Sequence, residues 1–180
     1  MKFLRTLFAT LFTTAAVAKG ETKPSAPLNA DAMREMRLQW LNTKPAAPGA
    51  AEPDRVFAAL MDWPLTQATA TVLASAGGDA SLYTTGTFGV IGGIGHESAR
   101  NAATAFTTCA QRYVKLATPT TDFSYPTADQ IRFFFVTPAG VQCLTVSIAD
   151  VQKSGTPAAD LFARAQEVVT ALRLITQSRQ

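Results

Sequence analysis

The sequence predicts an α+β domain in which a five-stranded, mostly antiparallel sheet carries packed helices, in the order α-βββ-α-ββ-α. Short apolar runs separated by turn signals indicate strand hairpins. Longer segments with apolar residues at helical spacing indicate amphipathic helices. The chain has 180 residues, 47% of them hydrophobic, which is enough to bury one core without crosslinks.

The first 18 residues have the features of a secretory signal peptide. Lys2 and Arg5 precede an apolar run at residues 7–17, and Ala16-Val17-Ala18 offers the small residues that signal peptidase reads. We expect export with cleavage after Ala18 and a periplasmic location; the alternative is an ordinary amino terminus. No later segment is long and apolar enough to cross a bilayer, so we expect no integral membrane segment once the leader is removed.

The net charge argues against nucleic acid as a partner. The whole chain carries +3, and the leader holds two basic residues and no acidic one, so the remainder carries +1. A nearly neutral protein has little long-range attraction for nucleic acid or anionic membranes. The partners left to consider are another protein and further copies of the same chain.

Residues 19–54 are predicted to contain a flexible lead-in, a short helix and a proline-rich linker. Asn29 or Asp31 can cap a helix that runs to about Leu41. Three prolines within residues 45–53 exclude a helix or a sheet ladder there. We expect one folded domain at residues 55–176.

Three strands are predicted at the start of this domain. Residues 56–63 form a short apolar run closed by Pro64, as in a mostly buried strand. Residues 68–75 and 80–85 have strand composition, and Gly77-Gly78-Asp79 between them signals a tight hairpin turn.

A second hairpin is predicted after a loop at residues 118–126, which contains two prolines. The strand at residues 130–136 has phenylalanines on both of its faces, which implies cover on both sides of the sheet. Thr137-Pro-Ala-Gly140 fits a turn into a partner strand at residues 141–149.

Two further helices are predicted, one on each side of this hairpin in the sequence. Apolar residues recur at helical spacing through residues 96–116. The last helix runs to about Ile175, with Thr156 as its cap and Pro157 in its first position.

A glycine-rich bend at residues 86–95 holds five of the chain's 11 glycines and precedes the central helix. Amides at a helix amino terminus attract anions, and glycines let a ligand approach the backbone. The spacing matches neither G-x-G-x-x-G nor a phosphate loop, whose Lys and Ser/Thr are missing. Val90, Ile91 and Ile94 also favour a structural bend that packs inward. For the alternative, a ligand or partner surface, the candidate residues are Gly92, Gly93, Gly95, His96, Glu97 and Ser98.

His96, the only histidine, could form a catalytic set with Ser98 and Asp62. Proximity in sequence does not make such a set, which is defined by geometry. A helix start explains the same residues, because Glu97 suits the helix dipole and Ser98 can bond exposed amides. We therefore predict no catalytic residue. We also predict no metal site and no cofactor, since a single histidine and two distant cysteines have no zinc spacing.

Cys109 and Cys143 are the only cysteines. An oxidising compartment permits a disulfide between them. However, Cys143 points opposite to Leu144 and Val146 on its strand, so a helix that covers those residues would place Cys109 on the other side of the sheet. We favour two buried free thiols over a disulfide.

Four parts of the sequence carry a family resemblance: Leu60-Met-Asp-Trp-Pro64; Ser81-Leu-Tyr83 with Gly89-Val-Ile-Gly-Gly-Ile-Gly-His-Glu97; Ile131-Arg-Phe133; and Gln166-Glu-Val-Val-Thr-Ala-Leu-Arg-Leu-Ile175. Over residues 32–176 they resemble a family of small bacterial proteins with no established activity. The resemblance implies one compact domain and supplies no catalytic residues. The leader departs from the family pattern, which leaves the usual compartment open.

Two functions of different class follow from the sequence. The preferred one is an exported, non-catalytic domain that binds a partner or assembles. The alternative is a small ligand-binding or hydrolase-like protein that uses the glycine bend and His96. A pocket in which His96, Ser98 or Asp62 converge would favour the second, and a packed bend with an exposed apolar patch would favour the first.

Overall fold

The computed structural model describes residues 29–45 and 52–178. The predicted signal peptide, the lead-in up to residue 28 and residues 46–51 of the predicted linker lie outside the described residues. The described residues form three α-helices, α1 (Ala30–Leu41), α2 (Glu97–Tyr113) and α3 (Pro157–Gln177), and six strands, β1 (Ala58–Pro64), β2 (Thr69–Ser75), β3 (Ala80–Thr84), β4 (Thr118–Pro119), β5 (Gln130–Thr137) and β6 (Gly140–Ser147).

All six strands join one antiparallel sheet in the order β3-β2-β1-β5-β6-β4. The predicted α+β class with an antiparallel sheet is confirmed. The predicted number of five strands is wrong, because β4 pairs with β6 at Cys143 and Gln142 and adds a sixth. The sequence predicts a loop there because β4 has only two residues and one of them, Pro119, has no N–H to donate to a ladder.

The sheet is covered on both faces, as the phenylalanines of β5 predict. Phe133 and Phe135 lie in one core and Phe134 in the other, and all three are fully buried. Alternate residues of a strand point to opposite faces, so β5 and its neighbour β1 contribute to both cores.

The larger core lies between the sheet and the pair α2 and α3. Trp63 of β1 meets Phe162 of α3 edge to face, with ring centroids 5.1 Å apart. Thr156 caps α3 by accepting a hydrogen bond from the Ala159 amide at 3.2 Å, and Pro157 occupies the first position, as predicted. The predicted helix at residues 96–116 is α2 followed by one 3₁₀ turn, Val114–Leu116.

The smaller core lies beneath α1, on the opposite face of the sheet. Met33 and Leu41 of α1 are buried there against Leu60, Leu73 and other sheet residues. Of the two predicted caps it is Asn29 that accepts, from the Ala32 amide at 2.7 Å. α1 therefore packs on the sheet, although the sequence predicts that the folded domain begins only at residue 55.

None of the helices in the described part of the chain is long and apolar enough to span a membrane.

A buried ion pair fastens α1 to the centre of the sheet. The side chains of Arg37 and Asp62 are 1% and 0% exposed. Arg37 Nε donates to both Asp62 oxygens, at 3.2 and 3.1 Å, and Nη2 donates to Oδ2 as well. The Thr71 hydroxyl donates to Asp62 Oδ1 at 2.6 Å, and Arg37 Nη1 donates to the Phe123 carbonyl at 2.9 Å. Both charged groups thus have several partners in place of water.

The electrostatics of Asp62 reflect two opposed effects. Burial raises the pKa of its carboxyl, while hydrogen bonds from Arg37 and Thr71 and the charge of Arg132 on β5 act to lower it. Removing Arg37 would remove the main interaction that opposes the effect of burial on the pKa of Asp62. The pair is therefore stable as a unit, and each member alone is costly to bury.

Replacing one member of this pair should destabilise the protein strongly. We expect Arg37→Met to lower the free energy of unfolding by about 3–5 kcal/mol, because a buried carboxylate loses its partner. The double variant Arg37→Met/Asp62→Leu should lose much less than the sum of the two single changes. Urea unfolding of all four proteins of this cycle measures the coupling.

Arg34 provides the matched control, since it is exposed on the same helix one turn earlier. Arg34→Met should change the free energy of unfolding by no more than about 0.5 kcal/mol. Additive effects of the two single changes at Arg37 and Asp62 would contradict a coupled pair.

Candidate functional site

The glycine bend, residues 86–95, lies along the outer edge of β3. Val90 exchanges two backbone hydrogen bonds with Leu82 of β3, each 2.8 Å long. The Thr84 hydroxyl donates to the Phe88 carbonyl at 2.5 Å, and Arg100 Nη1 donates to the Ile94 carbonyl at 2.7 Å. The bend is thus held at its start, middle and end.

This placement gives the bend a structural role. β3 is the last strand on its side of the sheet, and an uncovered edge strand offers free N–H and C=O groups to any other strand. Val90 occupies this edge at its centre, Leu82. The bend therefore blocks addition of a strand from another chain at β3.

Two of the glycines are required by their surroundings. Gly92 has φ +82°, a conformation that other residues rarely adopt. A Cβ at Gly93 would lie 2.7 Å from Leu172 Cδ2 and 3.0 Å from the Ala80 carbonyl oxygen. Gly93 is where the bend passes between β3 and α3, and any side chain there would force Leu172 and the Ala80 carbonyl to move. A Cβ at Gly95 would meet nothing within 4 Å.

The candidate residues after the bend form the start of α2. His96 is half-buried and occupies the N-cap position, although its side chain does not bond the helix amides. Glu97 and Ser98 are exposed in the first turn. His96, and not Ser98, therefore stands at the cap.

Asp62 lies on the other face of the sheet. Its neighbours Met61 and Trp63 belong to the core beneath α2 and α3, so Asp62 points toward α1, where Arg37 and Thr71 bind it. The structure therefore does not bring Asp62 together with His96 and Ser98, and the catalytic set that their sequence permits is not assembled.

The bend also presents apolar side chains to solvent. Phe88, Ile91 and Ile94 are 37%, 44% and 43% exposed, whereas Val90 packs against the larger core. The inward packing predicted for Ile91 and Ile94 is therefore wrong. Gly93 faces Leu172 and Ala80 on the inner side of the bend, and the two isoleucines on either side of it lie on the solvent side.

The two cysteines lie in different cores. Cys109 on α2 is buried with the larger core, and Cys143 on β6 is buried beneath α1. A disulfide needs Cβ atoms about 4 Å apart, which residues in cores on opposite faces of a sheet do not reach. Burial also raises the pKa of the Cys109 thiol, which lowers its thiolate fraction and its reactivity.

Sequence reasoning missed the ion pair of Arg37 and the groove beside it, which Arg34 and Tyr125 line. A signal was available. Arg37 stands midway between Met33 and Leu41 at intervals of four, so a charged residue interrupts the buried stripe of α1. Asp62 interrupts the apolar run of β1 in the same way.

The described residues contain no group of three or more His, Cys, Asp or Glu side chains that could hold a metal ion. Comparisons with known protein families, with curated proteins and with solved structures found no match.

The contacts of Gly93 predict a large effect from a small substitution. Gly93→Ala should lower the free energy of unfolding by about 1–3 kcal/mol, because the new methyl group overlaps Leu172 and the Ala80 carbonyl. Gly95→Ala, two residues away and in open space, should leave stability unchanged or raise it slightly. Thermal and urea unfolding compare the two variants, and equal stabilities would show that the bend does not pack as described.

The placement of the cysteines predicts two protected thiols. Without reductant, a maleimide should leave the folded protein unmodified and add twice to the protein denatured in guanidinium, as read by intact mass. A sample reduced beforehand serves as the control and should give the same two additions. Failure of the unreduced, denatured protein to react would demonstrate a disulfide.

Proposed function

We propose that this chain is an exported, non-catalytic domain that acts by assembly, and that a second copy of the chain docks on the glycine bend. The observation that carries the proposal is the exposure of Phe88, Ile91 and Ile94 on a segment that is held by backbone hydrogen bonds to β3 and by two side-chain hydrogen bonds to its carbonyls. Exposed apolar side chains grouped on a rigid segment are typical of interaction surfaces. A rigid segment also loses little conformational entropy on binding.

The charge of the bend supports a second copy as the occupant. Residues 86–95 contain no charged side chain, so two bends can face each other without like-charge repulsion. The formal net charge is only +3 for the whole chain, and it falls to +1 without the leader. Proteins near zero net charge repel their own copies weakly, which favours self-association.

The closed edge of β3 supports one mode of contact. Val90 fills the edge, so a partner cannot extend the sheet there and must instead contact the side chains of the bend. A contact of this kind is apolar and depends little on ionic strength. It uses the bend but does not need His96, Glu97 or Ser98 as chemical groups.

Export and family membership belong to the same proposal. The leader at residues 1–18 supports secretion, and a mature chain that begins at Lys19 in the periplasmic fraction would demonstrate it by intact mass. The motif Gly89-Val-Ile-Gly-Gly-Ile-Gly-His-Glu97 supports membership of the family of small bacterial proteins that it resembles.

Sedimentation velocity over a range of protein concentrations tests assembly. We expect a concentration-dependent dimer that persists when NaCl is raised, because burial of apolar surface drives it. Ile91→Ser/Ile94→Ser should raise the dissociation constant about tenfold or more, since two apolar side chains leave the interface. Each expectation follows from the exposure of these two side chains.

Leu116→Ser is the matched control, because Leu116 is 54% exposed and lies after α2, away from the bend. It should leave the dissociation constant unchanged. A monomer at all concentrations, or a double variant that dimerises like the parent, would exclude assembly through the bend. Association that only a different protein induces would identify a foreign partner and would also overturn the proposal.

A further inference from the structure

A groove with polar and apolar walls lies beside α1, on the face of the sheet opposite to α2 and α3. Its volume is about 450 Å³, within the usual range of small-molecule sites. Its lining comes from α1, from the residue after β3 and from the segment between β4 and β5: Ala30, Asp31, Arg34, Arg37, Leu38, Thr85, Phe123, Ser124 and Tyr125.

The base of the groove is a guanidinium that the fold already holds in place. Arg37 is 1% exposed, and its three nitrogens bind Asp62 and the Phe123 carbonyl. The Tyr125 ring lies over it, with the Arg37 Cζ atom 4.4 Å from the ring centroid. Asp62 compensates the charge of Arg37, so Arg37 shapes the groove without supplying a free charge.

Arg34 supplies the free charge at the rim. It is exposed one turn before Arg37, and no acceptor for its guanidinium is found among residues 29–45 and 52–178. Asp31 is the only acidic residue in the lining, and Arg34 and Asp31 form no ion pair. An arginine in this state can bind a carboxylate through two parallel hydrogen bonds.

Two hydroxyl groups extend the set of donors. Tyr125 is half-buried and its hydroxyl has no partner in the described part of the chain. Burial raises its pKa, although the charges of Arg37 and Arg34 act to lower it, so the hydroxyl keeps its proton at neutral pH. Thr85 Oγ1 accepts from the Thr69 amide at 2.9 Å, which leaves the Thr85 proton free to be donated.

The remaining wall is apolar. Leu38 and Phe123 are half-buried in it, and Phe123 is fixed edge to face against Phe134 with centroids 6.2 Å apart. From this arrangement of donors and apolar surface we infer that the groove binds a small organic carboxylate with an apolar tail. Arg34 binds the carboxylate, Tyr125 and Thr85 donate to it, and the tail lies against Leu38 and Phe123.

No residue of the glycine bend lines this groove, so the inference goes beyond the proposed assembly and does not depend on it. Phenylacetate and hexanoate are suitable probes because each joins a carboxylate to an apolar group. Phenylacetamide and hexanamide are their uncharged counterparts of nearly equal size. Titration of the ¹⁵N-labelled full chain with each probe, read from amide chemical shifts, locates the binding and gives its affinity.

We expect both acids to shift the backbone amide signals of Leu38 and Tyr125 saturably, with dissociation constants in the millimolar range. Phenylacetamide and hexanamide should cause no such shifts. Arg34→Gln should raise the dissociation constant of the acids about tenfold or more, because a charged hydrogen-bond partner is lost. Tyr125→Phe should weaken binding by a smaller factor.

Arg173→Gln is the matched control, because it also removes one exposed guanidinium from a helix, on the opposite face of the sheet. It should leave binding unchanged, and thermal unfolding should show that both Arg variants are folded. Absence of saturable binding, equal binding of acids and amides, or unchanged affinity in Arg34→Gln would each overturn the inference.

Discussion

The fold depends on a sheet whose central strands are apolar on both faces. β1 and β5 are buried nearly throughout, and the three consecutive phenylalanines of β5 divide between two cores. Such strands need cover on both sides, since alternate residues of either strand would otherwise face water. α2 and α3 cover one face as a pair, and α1 covers part of the other together with Phe123 from the segment between β4 and β5. α1 thus packs on the sheet because apolar residues of β5 need cover on that face.

The Arg37–Asp62 pair fixes the position of α1 on the sheet. Apolar contacts such as those of Met33 and Leu41 are nearly non-directional and tolerate a shift of the helix along the sheet. A guanidinium that must meet one carboxylate does not tolerate such a shift of the helix, because any other placement buries two unpaired charges. Buried ion pairs in general add little net stability over apolar substitutes, so we infer that this pair serves mainly to hold α1 in one register.

Much of the fold could be predicted from local signals, and what was missed depends on contacts between distant residues. The phenylalanines of β5 predict two covered faces, and the sequence at Thr156-Pro157 predicts the start of α3, because both signals are contained within a few residues. β4 is too short to show a period. Arg37 and Asp62 are 25 residues apart, and only tertiary packing reveals that each explains the other. The same holds for the groove, whose walls join α1 to Phe123 and Tyr125.

The glycine bend shows how closure of a sheet edge creates a surface. To lie against β3 the backbone passes close to Ala80 and Leu172, and glycine at residue 93 allows that approach without displacing either neighbour. Val90 packs inward against the larger core, whereas Ile91 and Ile94, on either side of the close approach at Gly93, are exposed. The bend that covers the edge of β3 thus also exposes the apolar side chains on which we propose that a second copy of the chain docks, without competing for the sheet edge.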